Sequence, residues 1–170
     1  MQESSKSVCD RPIFTEVFEK HAIAIRNFIY YKCGDKEQAE DVMQEAFIKL
    51  WDNCKKVLFE KTKPFLCTVA NNIFLNQVAR KKVRLEYTRI APRNKNTESP
   101  DFVLEEKEFM DTLQNAIADL SEAQREVFLL NRIDQKTYVE IAEMLGISVK
   151  AVEKRMHNAL KQLRKLVKGI

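Results

Sequence analysis

The sequence predicts an all-α fold of two small helical domains, an N-terminal helical bundle and a C-terminal helix-turn-helix domain, joined by a flexible linker. Apolar residues recur at spacings of three and four through most of the chain, which is the period of an amphipathic helix. Only three Gly and four Pro occur among 170 residues, which is few for a fold rich in β-turns. One stretch without periodicity, TRIAPRNKNTESP, separates two groups of helices. We therefore expect domains at 1–87 and 101–170 and a linker at 88–100.

The N-terminal domain is predicted to begin with two amphipathic helices. The apolar stripe of the first runs from Phe14 to Ile29, and this helix should end near Gly34, because glycine accepts the left-handed conformation that closes a helix. Asp35 followed by Gln38 is a capping pattern that predicts the start of the second helix. Apolar residues from Ala39 to Leu50 then form an almost continuous stripe on that helix. Both helices should therefore pack into one core.

The opposite face of the second helix is rich in carboxylates. Residues 35–52 hold six acidic side chains against two lysines. The outward face carries Asp41, Gln44, Glu45, Ile48 and Asp52. An isoleucine among carboxylates is unusual for a face that only contacts water, although a single exposed apolar residue is also normal. The pattern thus leaves two interpretations open, a protein-docking surface or a solvated face.

A lysine-rich loop and a third helix follow. Pro64 suits the first turn of that helix, and residues 61–89 hold seven basic groups against Glu86. The amides of Asn71 and Asn72 are either part of a polar outer face or groups that recognise base edges or backbone. The residues of this candidate nucleic-acid surface are Lys55, Lys56, Lys61, Lys63, Asn71, Asn72, Arg80, Lys81, Lys82 and Arg84.

The stretch from Lys136 to Val167 predicts a helix-turn-helix. Thr137 followed three residues later by Glu140 is a capping box that begins a short helix. Gly146 should end that helix, and Ser148 is placed to cap the next one. The second helix has apolar residues at spacings of three and four, so one of its faces should be buried. A supporting helix is predicted just upstream, where Ser121 and Gln124 form another capping pattern.

The other face of the last helix is cationic. From Gly146 onward the chain holds seven Lys or Arg against the single Glu153. Such a helix can lie in the major groove with its N-terminal residues at the base edges. The alternative is a helical hairpin with a solvated charged face, which would require the charges but none of the caps. The candidate DNA-binding residues here are Thr137, Ser148, Lys150, Lys154, Arg155, His157, Asn158 and Lys161.

The sequence contains no pattern that indicates a metal site or a catalytic site. The four cysteines form no C-x-x-C pair, and they stand at Cys9, Cys33, Cys54 and Cys67. Neither His21 nor His157 lies at ligand spacing to a cysteine, so we expect no metal site. No nucleophile and base pair or paired carboxylates are recognisable, and we expect no catalysis and no cofactor. Without a signal peptide or a long apolar run, we expect a cytoplasmic protein without membrane insertion, whose cysteines are reduced.

Three stretches together resemble the extracytoplasmic-function group of bacterial RNA polymerase sigma factors. They are DKEQAEDVMQEAFIKLW from Asp35 to Trp51, KPFLCTVANNIFLNQVARKK from Lys63 to Lys82, and LSEAQREVFLLNRIDQKTYVEIAEMLGISVKAVEKRMHNALKQLRK from Leu120 to Lys165. A helix-turn-helix alone occurs in many regulators. Its combination with an upstream AED-x-x-QE-x-F-x-x-LW helix is much more specific, and the resemblance covers nearly the whole chain.

The resemblance implies a non-enzymatic factor that binds core RNA polymerase and directs promoter-specific initiation, recognising promoter DNA and helping to open it. It implies that Asp41, Gln44 and Glu45, with Ile48 on the same face, contact the coiled coil of the largest polymerase subunit. The lysine-rich loop and Asn72 would face the promoter element near the start site, where a base is extruded from the melted strand. An anti-sigma factor is a further expected partner, although no residue identifies one.

At the distal promoter element, the resemblance implies contacts from one set of residues on the last helix, namely Lys150, Lys154, Arg155, His157 and Asn158. Glu153 stands where many relatives have arginine, so the distal DNA sequence should differ from the familiar one. A linker of about a dozen extended residues reaches roughly 40 Å. One turn of DNA is about 34 to 36 Å long, so two tethered domains could contact separate sites on one duplex.

The main alternative is a stand-alone helix-turn-helix regulator that never joins polymerase. Such proteins usually carry a βα receiver domain or a ligand pocket. Residues 13–84 show neither alternating strands nor a Gly-rich phosphate loop, which disfavours that alternative.

Overall fold

A computed structural model describes residues 7–77 and 100–166, and within these ranges it contains seven α-helices, one short 3-10 helix and no strand. The elements are α1 (Arg11–Cys33), α2 (Lys36–Asp52), the 3-10 helix (Phe59–Lys61), α3 (Thr62–Gln77), α4 (Pro100–Ala118), α5 (Glu122–Arg132), α6 (Tyr138–Leu145) and α7 (Val149–Leu166). The all-α prediction is confirmed for these residues. None of the helices in the described ranges is long and apolar enough to cross a membrane. Residues 88–99 of the predicted linker and the basic residues from Arg80 to Arg84 lie outside the described ranges.

The helix ends in the N-terminal half follow the local rules read from the sequence. Gly34 ends α1 in the left-handed conformation, with φ of 70°, and its N–H donates to the Tyr30 carbonyl. The carboxylate of Asp35 accepts from the Gln38 N–H at 3.1 Å and so caps α2. These two adjacent signals separate α1 from α2 and allow the two helices to pack on each other.

The C-terminal half contains the predicted helix-turn-helix. Thr137 and Glu140 form a reciprocal capping box at the start of α6, and Gly146 ends that helix with φ of 65°. The Ser148 hydroxyl accepts from the Ala151 N–H at 3.2 Å and caps α7. Ser121 and Gln124 form a second capping box that begins α5. All four helix-boundary predictions in this half are therefore confirmed.

Buried apolar side chains fill the interior of each half. In the N-terminal half, α1, α2 and α3 surround a core that includes Ile25, Phe28, Leu50 and Leu66. In the C-terminal half, the predicted stripe of α7 is buried against α4, α5 and α6. The buried residues of that stripe are Val152, Met156, Ala159 and Leu163. Burial of these stripes turns the charged faces of α2 and α7 outward.

The prediction that all cysteines are reduced is wrong for one pair. Cys9 and Cys54 form a disulfide across a sequence separation of 45, with 5.0 Å between their Cα atoms. Cys9 precedes α1 and Cys54 follows α2. The bond therefore joins the segment before α1 to the segment after α2, which lie beside each other when these helices pack. Cys33 and Cys67 carry free thiols. Sequence spacing could not predict this disulfide, because the two cysteines are far apart in the sequence and come together only after folding.

The two halves of the chain pack against each other through α1 on α5 and α3 on α6. The centre of this junction is Arg125 of α5, which is only 3% exposed. Its Nε and Nη2 donate to the carbonyls of Tyr31 and Lys32 at 2.9 and 3.0 Å. Its Nη1 donates within its own half, to the carbonyls of Ala118 and Leu120. Arg125 therefore satisfies the last carbonyls of α1, which have no partner within that helix.

Charged and polar side chains surround Arg125 in the junction. Lys32 is buried and its ammonium contacts the carboxylates of Glu122, at 3.3 Å, and Glu126. The Asp134 carboxylate accepts from the Tyr31 hydroxyl at 2.8 Å and from the Asn27 amide at 3.2 Å. The sequence alone indicated two separate bodies and gave no sign of this contact.

Candidate nucleic-acid and protein-binding surfaces

The predicted distal DNA surface is an outward strip along α7. Its five polar and cationic side chains are all exposed, and they are Lys150, Lys154, His157, Asn158 and Lys161. They recur at spacings of three and four on the side opposite the buried stripe, so they form one continuous face. The Ser148 cap fixes where α7 begins and therefore the direction in which this face points. A rigid cationic strip of this length can contact a DNA groove.

Arg155 differs from the other predicted distal residues. Its Nη1 donates to Oε1 of Glu126 at 2.9 Å, and its side chain is 32% exposed. Burial raises the pKa of the Glu126 carboxyl, while Lys32 and Arg155 oppose that rise. Thus Glu126 lies between Lys32 of α1 and Arg155 of α7, and it connects the junction of the two halves to the predicted DNA-binding helix.

Two further residues of the predicted distal set have structural partners. The hydroxyls of Thr137 and Ser148 are exposed, but each accepts a backbone N–H as a helix cap. Glu140 completes the box at Thr137, and hydrogen bonds from the Thr137 N–H and hydroxyl lower the pKa of this carboxyl. Both caps orient the helix-turn-helix whether or not their side chains also contact DNA.

The predicted acidic surface lies on the outer face of α2. Asp41 and Gln44 are exposed, and Ile48 is 61% exposed between them and the end of the helix. Glu45 is half-buried and pairs with Lys49 at 3.6 Å. The face is thus carboxylate-rich with a projecting aliphatic side chain, a combination suited to docking on another protein.

Aromatic residues next to this face were not recognised from the sequence as part of a surface. Trp51 and Phe18 are each 40% exposed. The Trp51 ring packs edge-on against Phe14 at 5.0 Å, and Phe18 packs against Phe47 at 4.8 Å. Phe18 belongs to the apolar stripe of the first helix, and that pattern predicts only a core position. Partial exposure of large rings extends the apolar part of the α2 face.

The predicted proximal DNA surface is spread over several elements. Lys55 and Lys56 are exposed in the turn after α2, Lys61 is exposed in the 3-10 helix, and Lys63 is half-buried at the start of α3. On α3, Asn72 is exposed and Asn71 is half-buried. The remaining members, Arg80, Lys81, Lys82 and Arg84, lie outside the described residues. The described members therefore extend from the turn after α2 to the second half of α3.

A shallow groove of about 390 Å³ joins the acidic and proximal surfaces. Glu45 and Lys49 of α2 form one wall, and Asn72 lies on the opposite wall. The amides of Asn76 and Gln77 also line it, and neither residue was predicted from the sequence to belong to a site. The groove therefore places a predicted polymerase-contacting residue beside a predicted DNA-contacting one.

His21 lies where the proximal surface approaches the C-terminal half of the chain. Its pKa is lowered by partial burial and by the positive charges of Lys20, Lys63 and Lys136. Lys63 belongs to the proximal set, and Lys136 precedes the cap of the helix-turn-helix. Three lysines and one imidazole therefore share a cationic patch across the junction. Among residues 7–77 and 100–166, no group of His, Cys, Asp or Glu side chains is arranged to hold a metal ion.

Two family models match the sequence, one in each predicted domain. Sigma-70 region 2 matches residues 17–84, and sigma-70 region 4 matches residues 110–163. The first match contains the acidic and proximal surfaces, and the second contains the helix-turn-helix. The region 2 match precedes the region 4 match along the chain, and the two do not overlap.

Curated relatives align along most of the chain. The ECF RNA polymerase sigma factor SigE of Mycolicibacterium smegmatis is 27% identical over 90% of this chain, but the chain spans only 61% of that relative's length. SigW of Bacillus subtilis is 26% identical, covering 95% of this chain and 92% of the relative. The ferric citrate uptake sigma factor FecI of Escherichia coli is 26% identical, covering 86% of each.

Solved structures show the same fold. CnrH in complex with the cytosolic domain of CnrY superposes with a TM-score of 0.61 at 21% identity, covering 92% of this chain and 88% of CnrH. The sigma factor RpoE of Bartonella quintana, in complex with the anti-sigma factor NepR, gives 0.60 at 20% identity, covering 92% and 97%. With both regions present in order and relatives of this group aligned across both, the chain belongs to the sigma-70 family, as a member of its extracytoplasmic-function group.

Proposed function

We propose that this chain binds core RNA polymerase, directs it to specific promoters and helps to open them. The observation that carries the proposal is the order of three outward surfaces in one chain, carboxylate-rich on α2 and cationic on the proximal elements and on α7. Surfaces of opposite charge suit partners of opposite charge. As a sigma factor the chain would act in the cytoplasm with polymerase and would supply no catalytic group of its own.

The acidic face of α2 is the proposed polymerase-docking surface. Asp41 and Gln44 are exposed, and Ile48 projects between carboxylates. Charged groups at the rim of such an interface would steer the encounter, while Ile48 and the exposed ring of Trp51 would supply apolar area. Glu45 is half-buried and paired with Lys49, so its contribution would include positioning of the groove beside Asn72.

The proximal elements are the proposed site for the promoter strand near the start site. Stacking is worth about 1.4 kcal/mol per base-pair step, so opening about a dozen pairs costs on the order of 15 kcal/mol. Two small DNA surfaces on a 170-residue chain do not supply that free energy alone. In this proposal Lys55, Lys56 and Asn72 capture the opened strand, and polymerase supplies the remaining contacts.

The α7 strip is the proposed reader of the distal element. Lys154 and His157 lie one turn apart near the middle of the exposed face, and Lys150 lies closer to the helix start. An anti-sigma protein is the proposed inhibitory partner. The named complexes of CnrH and of RpoE with anti-sigma proteins support this choice, since this chain shares their fold.

Run-off transcription tests the proposal. Promoter fragments would be selected from genomic DNA with core polymerase and this chain, and transcription from them would then be compared with core polymerase alone. We expect specific transcripts only when the chain is present. Folded chain that gives no transcript beyond that of core polymerase would contradict the proposal.

Charge reversal tests the docking surface separately. The double variant D41K/E45K should lose co-purification with core polymerase while its circular dichroism stays unchanged. A matched control is E19K/D111K, which makes the same change in net charge at exposed positions of α1 and α4. Binding by D41K/E45K at the level of the control would rule out this face as the docking site.

A further inference from the structure

The Cys9–Cys54 disulfide is placed at the base of the proposed proximal DNA surface. Cys54 directly precedes Lys55 and Lys56 in the turn after α2. Cys9 lies in the turn before α1, next to Val8, which is 1% exposed in the core. The bond therefore fastens the lysine-bearing turn to a short segment that is itself anchored in the interior.

The hydrogen bonds within this turn are local, although Cys54 and Val57 also pack against the core. The Cys54 N–H donates to the Trp51 carbonyl at 3.1 Å, and the Lys56 N–H donates to the Asn53 carbonyl at 2.8 Å. Both bonds join residues that are three apart, and they set the local shape of the turn. The disulfide is the covalent connection between this turn and the segment before α1.

Exposure separates this pair from Cys67 but not from Cys33. Cys9, Cys54 and Cys33 are all partly exposed. Cys67 is buried, and burial raises its pKa to about 11. Burial also raises the pKa of Cys33, whose thiol donates to the Asp35 carbonyl at 3.3 Å. Since the thiolate is the reactive form, Cys33 and Cys67 should exchange slowly.

We propose that Cys9 and Cys54 are a reversible thiol–disulfide site that controls the order of the proximal DNA-binding turn. The proposed function requires that the chain acts in the cytoplasm. Disulfides in that compartment are usually transient and redox-sensing. Oxidation holds Lys55 and Lys56 in the arrangement seen here, and reduction frees the turn from the segment before α1. The effect on DNA rests on the proposed function, whereas the redox chemistry of the pair does not.

The reaction is thiol–disulfide exchange with a protein dithiol as reductant. One thiolate of the dithiol attacks the sulfur of Cys9 or Cys54, which breaks the bond between them and releases the other cysteine as a thiolate. The second thiol of the reductant then attacks the mixed disulfide and releases the bound cysteine. Overall, two electrons and two protons pass from the dithiol, which becomes a disulfide, to the cysteine pair. Oxidation is the reverse exchange with a disulfide such as oxidised glutathione.

The first test measures the thiols without DNA or polymerase. Wild-type chain and a C33S/C67S variant would be equilibrated in glutathione buffers from fully reduced to fully oxidised, alkylated, and analysed by peptide mass spectrometry. We expect one two-electron transition that joins Cys9 to Cys54 in both proteins. A pair that stays reduced in oxidised glutathione, or stays bonded in excess dithiothreitol without denaturant, would overturn the proposal.

The second test measures transcription with holoenzyme. Oxidised and reduced wild-type chain would be compared with C9S and C54S, each of which lacks the bond, after circular dichroism has shown that they are folded. We expect oxidised wild type to exceed the reduced form and both serine variants by about fivefold, the lower end of typical coupling between two sites. C33S/C67S should keep the full redox response.

The outcomes separate this inference from the proposed function. Equal transcription from oxidised and reduced wild-type chain would overturn control of the turn, while leaving the sigma-factor proposal intact. Absence of transcription in both states would instead reject the proposed function, and the thiol titration would still decide whether the pair is redox-active. Promoter DNA in the holoenzyme should also slow reduction of the pair, because coupling between two sites is reciprocal.

Discussion

The two proposed DNA surfaces are built in different ways. The distal surface occupies one face of α7, between the Ser148 cap and Lys161. The proximal surface combines a turn, a 3-10 helix and α3, and it depends on the packing of α3 on α2 and on the Cys9–Cys54 bond. One helix with a cap presents its side chains by local geometry alone. A surface assembled from several elements is only as ordered as the long-range contacts behind it.

The largest expected effect comes from the junction between the two halves. Arg125→Ala removes four hydrogen bonds to carbonyls and leaves buried Glu126 with less compensating charge. Loss of one partner of a buried charged cluster should lower the free energy of unfolding by on the order of 3–5 kcal/mol. Urea denaturation would measure it. Arg125→Lys keeps the charge but not the fork of donors, and it should recover only part of the loss.

An unchanged free energy of unfolding in Arg125→Ala would contradict this prediction. If Arg125→Ala unfolded with the wild-type midpoint, the Arg125 hydrogen bonds across the junction would contribute nothing to stability.

Reduction of the disulfide should have the next largest effect, and it should be confined to the proximal side. Opening a loop closed between residues 45 apart is expected to lower the free energy of unfolding by about 2–4 kcal/mol. Thermal unfolding with and without dithiothreitol would measure the change, with C33S/C67S as control. Hydrogen exchange should accelerate around Cys54 and remain unchanged in α7. Faster exchange across both halves would contradict the local character of this restraint.

Single lysines should distinguish base reading from phosphate contact. Lys154→Ala should weaken binding of holoenzyme by about 1–3 kcal/mol at particular base pairs of the distal element. Lys56→Ala should weaken binding uniformly across sequences and reduce the salt slope by about 1. Arg132→Ala on α5 serves as the control, since Arg132 is exposed and outside both surfaces. A uniform loss for Lys154→Ala would mean that α7 contacts only the DNA backbone at that position.

The smallest effect is expected at His21, where the proximal surface approaches the C-terminal half. Its pKa in the folded protein is below 6.5, because burial and Lys20, Lys63 and Lys136 disfavour the charged form. Below pH 6.5 the unfolded chain therefore binds more protons at His21 than the folded protein does, and stability should fall as the pH decreases. The contribution should be small, because His21 is only half-buried and solvent screens its interactions with the lysines.

Replacement of the imidazole isolates that contribution. In His21→Gln, denaturation midpoints between pH 7.5 and pH 5.5 should depend less on pH than in the wild type. An unchanged pH profile would contradict a contribution of His21 to the pH dependence of stability.

The sequence predicted what depends on neighbouring residues. The bounds of α6 follow from Thr137, Glu140 and Gly146, which lie within ten residues of each other. The exposure of Lys154 and the burial of Val152 follow from the helical period alone. The all-α class and the helix-turn-helix were predictable for this reason, and so was the outward direction of both the acidic and the distal faces.

Long-range pairs were not predictable in the same way. Arg125 meets the carbonyl of Tyr31 across a separation of 94 residues, and nothing in its local sequence distinguishes it from a solvated arginine. Cys9 and Cys54 are 45 residues apart and become neighbours only because α1 and α2 pack antiparallel around one core. Periodicity and caps carry no information on such pairings. The groove between Glu45 and Asn72 was missed for the same reason.

Arg125 has acceptors on both sides of the junction, and this affects how readily the halves could come apart. If α1 moved away, Nη1 would keep the carbonyls of Ala118 and Leu120, and water could solvate the guanidinium edge that is vacated. The freed carbonyls at the end of α1 would likewise meet solvent, as they do at most helix ends. Neither the Arg125 guanidinium nor the α1 carbonyls would then be buried without a hydrogen-bond partner. A fastening of this kind can open and close repeatedly without either half having to unfold.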